Sequence, residues 1–207
     1  ETIQIKRTNP NKYVRLAAKE AGIKIWYNKK FVRYEETNEQ LTAYFDDGTM
    51  VAGYIMLACD GMFSEVRNQL FPNASAIRYT KVISTGGYAN IPELSEPLDS
   101  IRMNFGERGF FAYSVSDKGE VWWFNNYFRE QEPKPKELEK TLNTEIQGCL
   151  ANIHQNDDPL FSKIIKNSHQ IIAYPIYDVP KLLHWYKGRV CLIGDAAHGI
   201  SPHIGQG

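Results

Sequence analysis

Two aspartates, Asp60 and Asp195, each follow a short apolar run and stand beside a glycine. The runs are Tyr54–Cys59 and Val190–Ile193, and apolar runs of this length bounded by turn residues are typical of buried strands. Ligands of open α/β sheets bind at the carboxyl ends of the strands, so the pattern predicts both carboxylates at a ligand-binding edge. A charged carboxylate there binds a buried hydroxyl about twice as strongly as a neutral acceptor does.

The residues after Asp60 indicate how the first turn ends. Gly61 follows directly, Ser64 is a typical N-cap residue, and Arg67 falls in the first turn of the helix that Ser64 would begin. Asp60 is then either a ligand-binding group or a cap of this helix. Arg67 is either a phosphate-binding group or a solvated helix residue.

The residues around Asp195 form a second pattern. Gly194 precedes the carboxylate, small residues follow it, and the segment continues through Pro202. It ends in a Gly-x-Gly sequence formed by Gly205, Gln206 and Gly207. Such glycines let backbone N–H groups approach an anion or an electron-rich ring closely. The alternative is that Asp195 only caps the segment that follows it.

These two patterns, in this order, resemble those of the class A flavoprotein monooxygenases, the single-component FAD-dependent aromatic hydroxylases. The stretch from Asp60 to Arg67 matches that family's Asp-Gly-x-x-Ser-x-Val-Arg signature at every signature position. The stretch around Asp195 resembles the family's second flavin-binding motif. Arg7 matches a third position, an arginine that reaches the flavin in the family, although Pro10 stands where the family usually has leucine.

The resemblance implies a set of cofactor-binding residues. Asp195 would accept a hydrogen bond from a ribityl hydroxyl of FAD, and Asp60 with Gly61 would contact the pyridine nucleotide and FAD near its pyrophosphate. The full set is Arg7, Asp60, Gly61, Gly194, Asp195, Pro202, Gly205, Gln206 and Gly207. Because such enzymes share no universal protein acid or base, we assign no catalytic residue.

The fold that the resemblance implies is α/β with α+β character, a three-layer FAD-binding lobe interleaved with a largely antiparallel substrate lobe. We expect residues 1–78 and 169–207 to form the FAD-binding lobe and residues 79–168 to form the substrate lobe. The Gly-x-Gly-x-x-Gly turn that opens such proteins does not occur in the sequence. We therefore interpret the chain as an internal part of a longer protein and expect it to be inactive alone.

Hydrophobic periodicity and turn residues predict the individual elements. Helices are predicted at Tyr13–Ala21, Glu137–His154 and Asp158–Ile164. Strands are predicted at Ile23–Tyr27, Phe31–Glu36, Leu41–Phe45 and His169–Ile176, and an antiparallel sheet within Tyr79–Phe128.

The antiparallel stretch is rich in aromatic residues, which the resemblance places on or near the wall of a substrate pocket. They are Phe105, Phe110, Phe111, Tyr113, Trp122, Trp123, Tyr127 and Phe128. Side chains alternate along a strand, so Trp122 and Trp123 must point in opposite directions and only half of the set can face a pocket. The rest would belong to the core. Arg108 and Asn125 are polar candidates for orienting a substrate.

Composition excludes several classes of protein. The 207 residues include 24 Lys and Arg against 24 Asp and Glu, so no global field attracts nucleic acid or an anionic membrane. The apolar runs are far shorter than the roughly 20 residues of a membrane helix. Cys59, Cys149 and Cys191 are predicted to be buried reduced thiols, which favours the cytoplasm.

Metal and covalent hydrolytic chemistry find little support in the sequence. His198 and His203 lie close to Asp195, but no third imidazole or thiolate cluster accompanies them, and we expect no metal site. No nucleophile-elbow motif or Ser-His-Asp order occurs.

The resemblance implies a parent protein that hydroxylates a small aromatic or polycyclic substrate with FAD, NAD(P)H and O2. Two alternatives stay open. The first is a flavoprotein of the same fold that reduces or dehydrogenates its substrate without inserting oxygen. The second is a non-catalytic remnant without a cofactor. The sequence does not indicate the substrate's identity, the choice of NADH or NADPH, or the oligomeric state.

Overall fold

A computed structural model describes residues 8–94, 100–141 and 143–202. The helices in these ranges are Thr8–Glu20 (α1), Glu65–Leu70 (α2), Glu137–Lys140 (α3), Asn143–Ile153 (α4), Pro159–Lys166 (α5) and Asp195–His198 (α6). The strands are Phe31–Glu36 (β1), Leu41–Phe45 (β2), Met50–Gly53 (β3), Met56–Ala58 (β4), Arg78–Asn90 (β5), Arg102–Phe105 (β6), Gly109–Val115 (β7), Glu120–Phe128 (β8), Ser168–Asp178 (β9), Tyr186–Lys187 (β10) and Val190–Leu192 (β11). They give a mixed α/β fold.

The smaller mixed sheet, which we call the motif sheet, has the strand order β10-β11-β4. β11 runs parallel to β4, with Val190 beside Met56 and Leu192 beside Ala58, and antiparallel to β10. Its core is apolar and excludes water: it consists of Leu41, Ala58, Val66, Leu70, Val190, Leu192, Ala196 and Ala197. Because β4 and β11 are parallel neighbours, the turns that follow them lie at one edge of the sheet.

A three-stranded antiparallel sheet, β1-β2-β3, adjoins the motif sheet. Leu41 of β2 is buried in the motif-sheet core, and the Glu36 carboxylate accepts a hydrogen bond of 2.9 Å from the Arg189 backbone N–H. The same carboxylate fills the space where a Cβ atom at residue 188 would stand. Gly188 also has φ +57°, so any other residue there would strain the backbone and clash with the Glu36 carboxylate.

The large sheet is five-stranded and antiparallel, with the order β6-β7-β8-β5-β9. One of its faces is covered by α4 and α5, and we call it the closed face. Phe111 and Trp123 are fully buried there, with ring centroids 5.5 Å apart, and Phe161 of α5 stacks on Phe111 at 4.7 Å. The antiparallel sheet predicted within Tyr79–Phe128 is thus present, and the helices give it a core.

The opposite face of the large sheet, the open face, carries a row of aromatic rings. Centroid distances along the row are 5.0 Å from Phe105 to Phe110, 5.4 Å from Phe110 to Phe124 and 5.2 Å from Phe124 to Trp122. Phe105 is 82% exposed, in contrast to the fully buried Trp123. Trp122 and Trp123 therefore point in opposite directions, as the alternation predicts.

Several local predictions differ from the structure. The predicted strand Ile23–Tyr27 pairs with no strand among the described residues, and its apolar side chains are largely exposed. The predicted helix Glu137–His154 is interrupted, because Thr141 adopts an extended conformation (φ −70°, ψ 127°) after α3. The unpredicted strand Met50–Gly53 pairs with β2 across the Asp46–Gly48 turn.

The prediction of buried thiols is wrong. Cys59 and Cys149 are exposed and Cys191 is half-buried; all three are free. Cys59 lies just beyond the end of β4, where the chain leaves the apolar core. In the described part of the chain, no helix is long and apolar enough to cross a membrane.

Candidate functional site

The two predicted aspartate turns lie side by side at one edge of the motif sheet. The last ladder pair joins Ala58 to Leu192, and the Ile193 N–H donates to the Ala58 carbonyl at 2.9 Å. Asp60 and Asp195 follow these positions on neighbouring parallel strands. The prediction that both stand at the carboxyl end of a strand is confirmed in β4 and β11.

Asp60 is engaged in starting helix α2. Its Oδ1 accepts a hydrogen bond from Ser64 Oγ at 2.6 Å, and its Oδ2 accepts one from the Val66 N–H at 3.1 Å. Ser64 is the N-cap, as predicted, and accepts from the Arg67 N–H at 2.9 Å. These bonds satisfy N–H groups of the first turn that no helical carbonyl can reach.

Arg67 joins the two turns. Its guanidinium donates from Nη1 to the Ala196 carbonyl at 2.9 Å and from Nη2 to the Met62 carbonyl at 2.7 Å. The residue is only 4% exposed, and burial lowers its pKa, partly opposed by the charge of Asp60. The sequence left two interpretations of Arg67 open, a phosphate ligand and a solvated helix residue. The structure shows a third arrangement, a buried guanidinium that bonds two backbone carbonyls.

A second contact between the turns involves Gly199 and Met62. A Cβ atom at Gly199 would lie 2.7 Å from the Met62 Cε atom, so the thioether packs where a larger residue would clash. The Gly199 carbonyl also accepts a hydrogen bond from the Val179 N–H at 2.7 Å, which ties the end of α6 to the segment after β9. The Arg67 and Met62 side chains and the Val179 backbone N–H therefore all contact the segment that follows Asp195.

Gly194 and Asp195 have a different environment. Gly194 has φ +61° and ψ −140°, a conformation that favours glycine, and the space where a Cβ would stand is open to 4 Å. Asp195 is exposed, and within the described residues its carboxylate oxygens accept no hydrogen bond. Gly61 likewise has a positive φ, +82°, with open space around it. These positions offer room and a charged acceptor to a ligand.

Other predicted site residues lie at the limit of the structure. Pro202 is exposed at the end of the described range. Arg7, Gly205, Gln206 and Gly207 lie outside the described residues. Among the residues that the structure describes, no group of three His, Cys, Asp or Glu side chains could hold a metal ion.

The polar candidates in the large sheet divide between its two faces. Asn125 is fully buried on the closed face, where Nδ2 donates to the Phe110 carbonyl at 2.7 Å and lies 2.6 Å from His154 Nε2. Thr85 Oγ1 donates to its Oδ1 at 3.2 Å. Asn125 is therefore a core residue, and the proposal that it orients a substrate is wrong.

Its neighbour Asn126 lies on the open face, opposite Phe110 of β7 and Ser84 of β5. The Asn126 Oδ1 atom is shielded from solvent, and among the described residues it has no hydrogen-bond partner. Sequence reasoning missed this residue. Strand alternation gives part of the signal, because it places Asn125 on the same face as Trp123 and Asn126 on the opposite face. Which of the two faces is covered depends on the tertiary structure.

Comparison with known proteins identifies the family. A family model described as "FAD binding domain" matches residues 3–207. The chain belongs to this family. The exposed carboxylate of Asp195, with the open space at Gly194 and Gly61, fits the hydroxyl groups and backbone approach that FAD requires, so the residues present suit the cofactor.

Several curated proteins are similar to this chain over nearly the whole length of the chain. It is 26% identical to 6-hydroxynicotinate 3-monooxygenase of Bordetella bronchiseptica, over 92% of the chain and 49% of the relative. It is 27% identical to a chloroplastic zeaxanthin epoxidase of Nicotiana plumbaginifolia, over 85% of the chain and 26% of the relative. The chain thus spans about half, or less, of these relatives.

Solved structures confirm the fold. Klebsiella pneumoniae HpxO, crystallised with FAD and uric acid, superposes with a TM-score of 0.83 at 22% identity. The alignment covers 98% of this chain and 51% of HpxO. The mixed α/β architecture expected from the motifs is therefore that of known flavoproteins.

Proposed function

We propose that this chain is the cofactor- and substrate-binding part of an FAD-dependent monooxygenase. The protein would use NAD(P)H and O2 to hydroxylate a small aromatic or polycyclic substrate. The similarity to 6-hydroxynicotinate 3-monooxygenase, together with membership of the FAD binding domain family, supports the reaction class. FAD, when bound, supplies the redox and oxygen chemistry, and the protein supplies binding, orientation and exclusion of water.

The single observation that carries this proposal is the joining of the two turns by Arg67. Two segments more than 120 residues apart in sequence meet at one sheet edge, and a buried guanidinium bonds the backbone of both. The arrangement leaves the Asp195 carboxylate exposed beside the open space at Gly194. An edge held this rigidly, with an acceptor left unused, suits a ligand that offers a row of hydroxyls.

We assign the residues of the edge as follows. Asp195 accepts a hydrogen bond from a ribityl hydroxyl, Gly194 permits close approach, and Asp60 with Gly61 borders the pyrophosphate and the pyridine nucleotide. Pro202, with Arg7, Gly205, Gln206 and Gly207, would follow the flavin. Residues 1–78 and 169–207 would form the FAD-binding lobe, and 79–168 the substrate lobe.

The open face of the large sheet would be the wall against which the substrate lies. Its row of rings offers planar apolar contact, which suits an aromatic substrate. The closed face holds that wall in place, because Phe111 and Trp123 are packed beneath it. No side chain in the described residues needs to act as an acid or base in this scheme.

We place the protein in the cytoplasm, since its three described cysteines are unpaired, and expect a small-molecule substrate and no nucleic-acid partner. The zero net charge supports the expectation that the protein has no nucleic-acid partner.

The proposal is tested on the complete protein encoded by the gene that carries this sequence. We expect a yellow preparation with flavin absorbance, reduction of the flavin by NADH or NADPH, and incorporation of one atom of 18O2 into the product. Flavin reduction with product that contains no labelled oxygen would instead support a reductase or dehydrogenase of the same fold. A colourless preparation that does not take up added FAD would contradict any flavin-dependent function.

A further inference from the structure

A chain of three polar side chains lies buried on the closed face of the large sheet, and we call it the closed-face relay. It consists of Asn125 of β8, His154 after the end of α4, and Asp157 in the loop before α5. His154 is only 1% exposed. Its Nε2 atom lies 2.6 Å from Asn125 Nδ2, and its Nδ1 atom lies 2.6 Å from Asp157 Oδ2. The proposed function gives this buried imidazole no role.

The backbone of β7 sets the direction of the hydrogen bonds in the relay. Asn125 Nδ2 donates to the Phe110 carbonyl at 2.7 Å, where an amide oxygen would face another oxygen. The second N–H of the amide is therefore the donor to His154 Nε2. The imidazole then carries its proton on Nδ1 and donates it to Asp157. A buried network in which each donor has its acceptor favours one arrangement of its members.

The far end of the relay lies on the β6–β7 turn, residues 106–108. A Cβ atom at Gly106 would stand 2.5 Å from Asp157 Oδ2 and 2.8 Å from Oδ1. The carboxylate that His154 holds therefore packs directly on the backbone of this turn, in space that only a glycine leaves open.

Two further contacts join the same turn to the end of α4. A Cβ atom at Gly109, the first residue of β7, would stand 3.3 Å from His154 Cε1, so the imidazole also packs on the backbone. Arg108 Nη1 donates to the Asn152 carbonyl at 3.1 Å. The turn is thus docked on the segment from Asn152 to Asp157, and His154 lies in the middle of that segment.

The turn connects two rings of the opposite face. Phe105 ends β6 and Phe110 is the second residue of β7, and their ring centroids are 5.0 Å apart. Because both residues are within two positions of the turn, a displacement of the turn displaces both rings. A group on the closed face can therefore set the position of rings on the open face.

We infer that His154 is a positioning residue. Through the Asp157 carboxylate it holds the β6–β7 turn in place, and with it Phe105 and Phe110. The inference rests on the proposed function, because that function makes the open face the substrate wall. It concerns how the wall is held from behind, by a side chain that lies on the other side of the sheet.

Hydrogen–deuterium exchange, followed by mass spectrometry on the complete FAD-loaded protein, tests this inference. The peptides of interest cover residues 102–113, which include the turn and the ends of both strands. Exchange reports how often the backbone opens locally, and urea unfolding of the same samples reports the stability of the whole fold. A residue that only stabilises the fold changes exchange throughout the protein, whereas a positioning residue changes it mainly at the turn.

Two substitutions of His154 each keep one of its two hydrogen bonds. In His154→Gln the amide oxygen takes the place of Nε2 and accepts from Asn125, but nothing donates to Asp157. In His154→Asn the amide nitrogen takes the place of Nδ1 and donates to Asp157, but Asn125 loses its acceptor. We expect His154→Gln to speed exchange at the turn by roughly ten- to a hundredfold, since a hydrogen bond to a charged group is lost. His154→Asn should restore exchange there close to the wild-type rate, although both variants lose stability.

A variant at the other end of the relay gives the same information if a His154 variant does not fold. Gly106 does not have a positive φ, so Gly106→Ala strains no backbone, but its methyl group displaces the Asp157 carboxylate. It should speed exchange at the turn as His154→Gln does. Gly148→Ala is the matched control, because a Cβ atom at this position in α4 would meet no atom within 4 Å. It should leave exchange at the turn unchanged.

The inference is overturned if His154→Gln and His154→Asn exchange equally fast at the turn. It is also overturned if exchange in His154→Gln rises uniformly along the chain, or if Gly106→Ala exchanges like Gly148→Ala. Failure of the proposed function gives a different result: the turn would still respond to His154→Gln in a protein that inserts no oxygen into any substrate. Oxygen insertion by the wild type, with a turn that does not respond to His154→Gln, would contradict the relay alone.

Discussion

Asp60 and Asp195 end parallel neighbouring strands, yet the fold uses them differently. Both oxygens of Asp60 accept hydrogen bonds from the first turn of α2, whereas Asp195 is exposed and, within the described residues, accepts none. The difference follows from the helix that comes next. α2 is six residues long and starts at a Ser64 cap, while α6 is four residues long and begins at Gly194 without a side-chain cap.

The same contrast appears between Asn125 and Asn126 of β8. Asn125 is bonded to Phe110, His154 and Thr85 on the closed face, and Asn126 has an unpartnered oxygen on the open face, among the residues described. In each pair one polar residue is hydrogen bonded within the fold, and the other has no such bond among the described residues. Replacement of a polar group that is hydrogen bonded within the fold should therefore lower the stability. Replacement of a polar group without such a bond should leave the stability nearly unchanged and should affect ligand binding if the group contacts a ligand.

Arg67 is the most engaged polar side chain of the site, and its replacement should have the largest effect. Arg67→Ala leaves the Ala196 and Met62 carbonyls without their donor and opens a cavity between the turns. We expect a loss of about 2–4 kcal/mol in the free energy of unfolding, measured by urea denaturation, and weaker FAD retention. Arg15→Ala is the control, since Arg15 is exposed and, among the residues that the structure describes, its Nε bonds only the Asn11 carbonyl of its own helix. Equal stability of the two variants would mean that Arg67 does not hold the turns together.

The asparagine pair should give the next largest difference. Asn125→Leu removes bonds to the Phe110 carbonyl, His154 Nε2 and Thr85 Oγ1, so it should cost about 2–3 kcal/mol. Asn126→Leu removes no protein hydrogen bond of the described residues and should change stability by about 0.5 kcal/mol or less. Thermal and urea unfolding of both variants check this. Equal losses would show that the two faces do not differ as described.

Asp60→Ala should have a smaller effect on stability. The Val66 N–H and Ser64 Oγ lose their acceptor, but the Ser64 cap itself remains, so the expected loss is about 1 kcal/mol. If Asp60 also borders the nicotinamide cofactor, stopped-flow reduction of the flavin by NAD(P)H slows by more than the stability loss explains. Reduction at the wild-type rate would leave Asp60 with the capping role only.

The sequence predicted those features that local patterns determine. The bounds of β1 and β2 and the Ser64 N-cap agree with the structure, because alternation and capping act within a few residues. The opposite orientation of Trp122 and Trp123 follows from the same periodicity. The Asp60 and Asp195 turns were found because each ends a recognisable apolar strand.

Features that depend on distant partners could not be predicted in this way. The apolar run Ile23–Tyr27 has the composition of a strand, but no described strand pairs with it. In the sequence Arg67 has the position of an ordinary helix residue. It is buried and joins the two turns because Ala196, 129 positions away, lies beside it. Asn125 and Asn126 are identical in type, and their roles depend on which face α4 covers, which only the tertiary structure decides.

Replacement of Asp195 tests the central claim most directly, namely that the two turns form an FAD site with Asp195 as its unengaged acceptor. Asp195→Ala in the complete protein should change stability by about 0.5 kcal/mol or less, because no described side chain or backbone donor bonds its carboxylate. Its FAD affinity, measured by titration of the apoprotein, should fall by about ten- to a hundredfold, since a charged hydrogen bond is lost. Asp117→Ala, in the exposed turn between β7 and β8, should leave FAD affinity unchanged. A folded Asp195→Ala protein that binds FAD as tightly as the wild type would contradict the account.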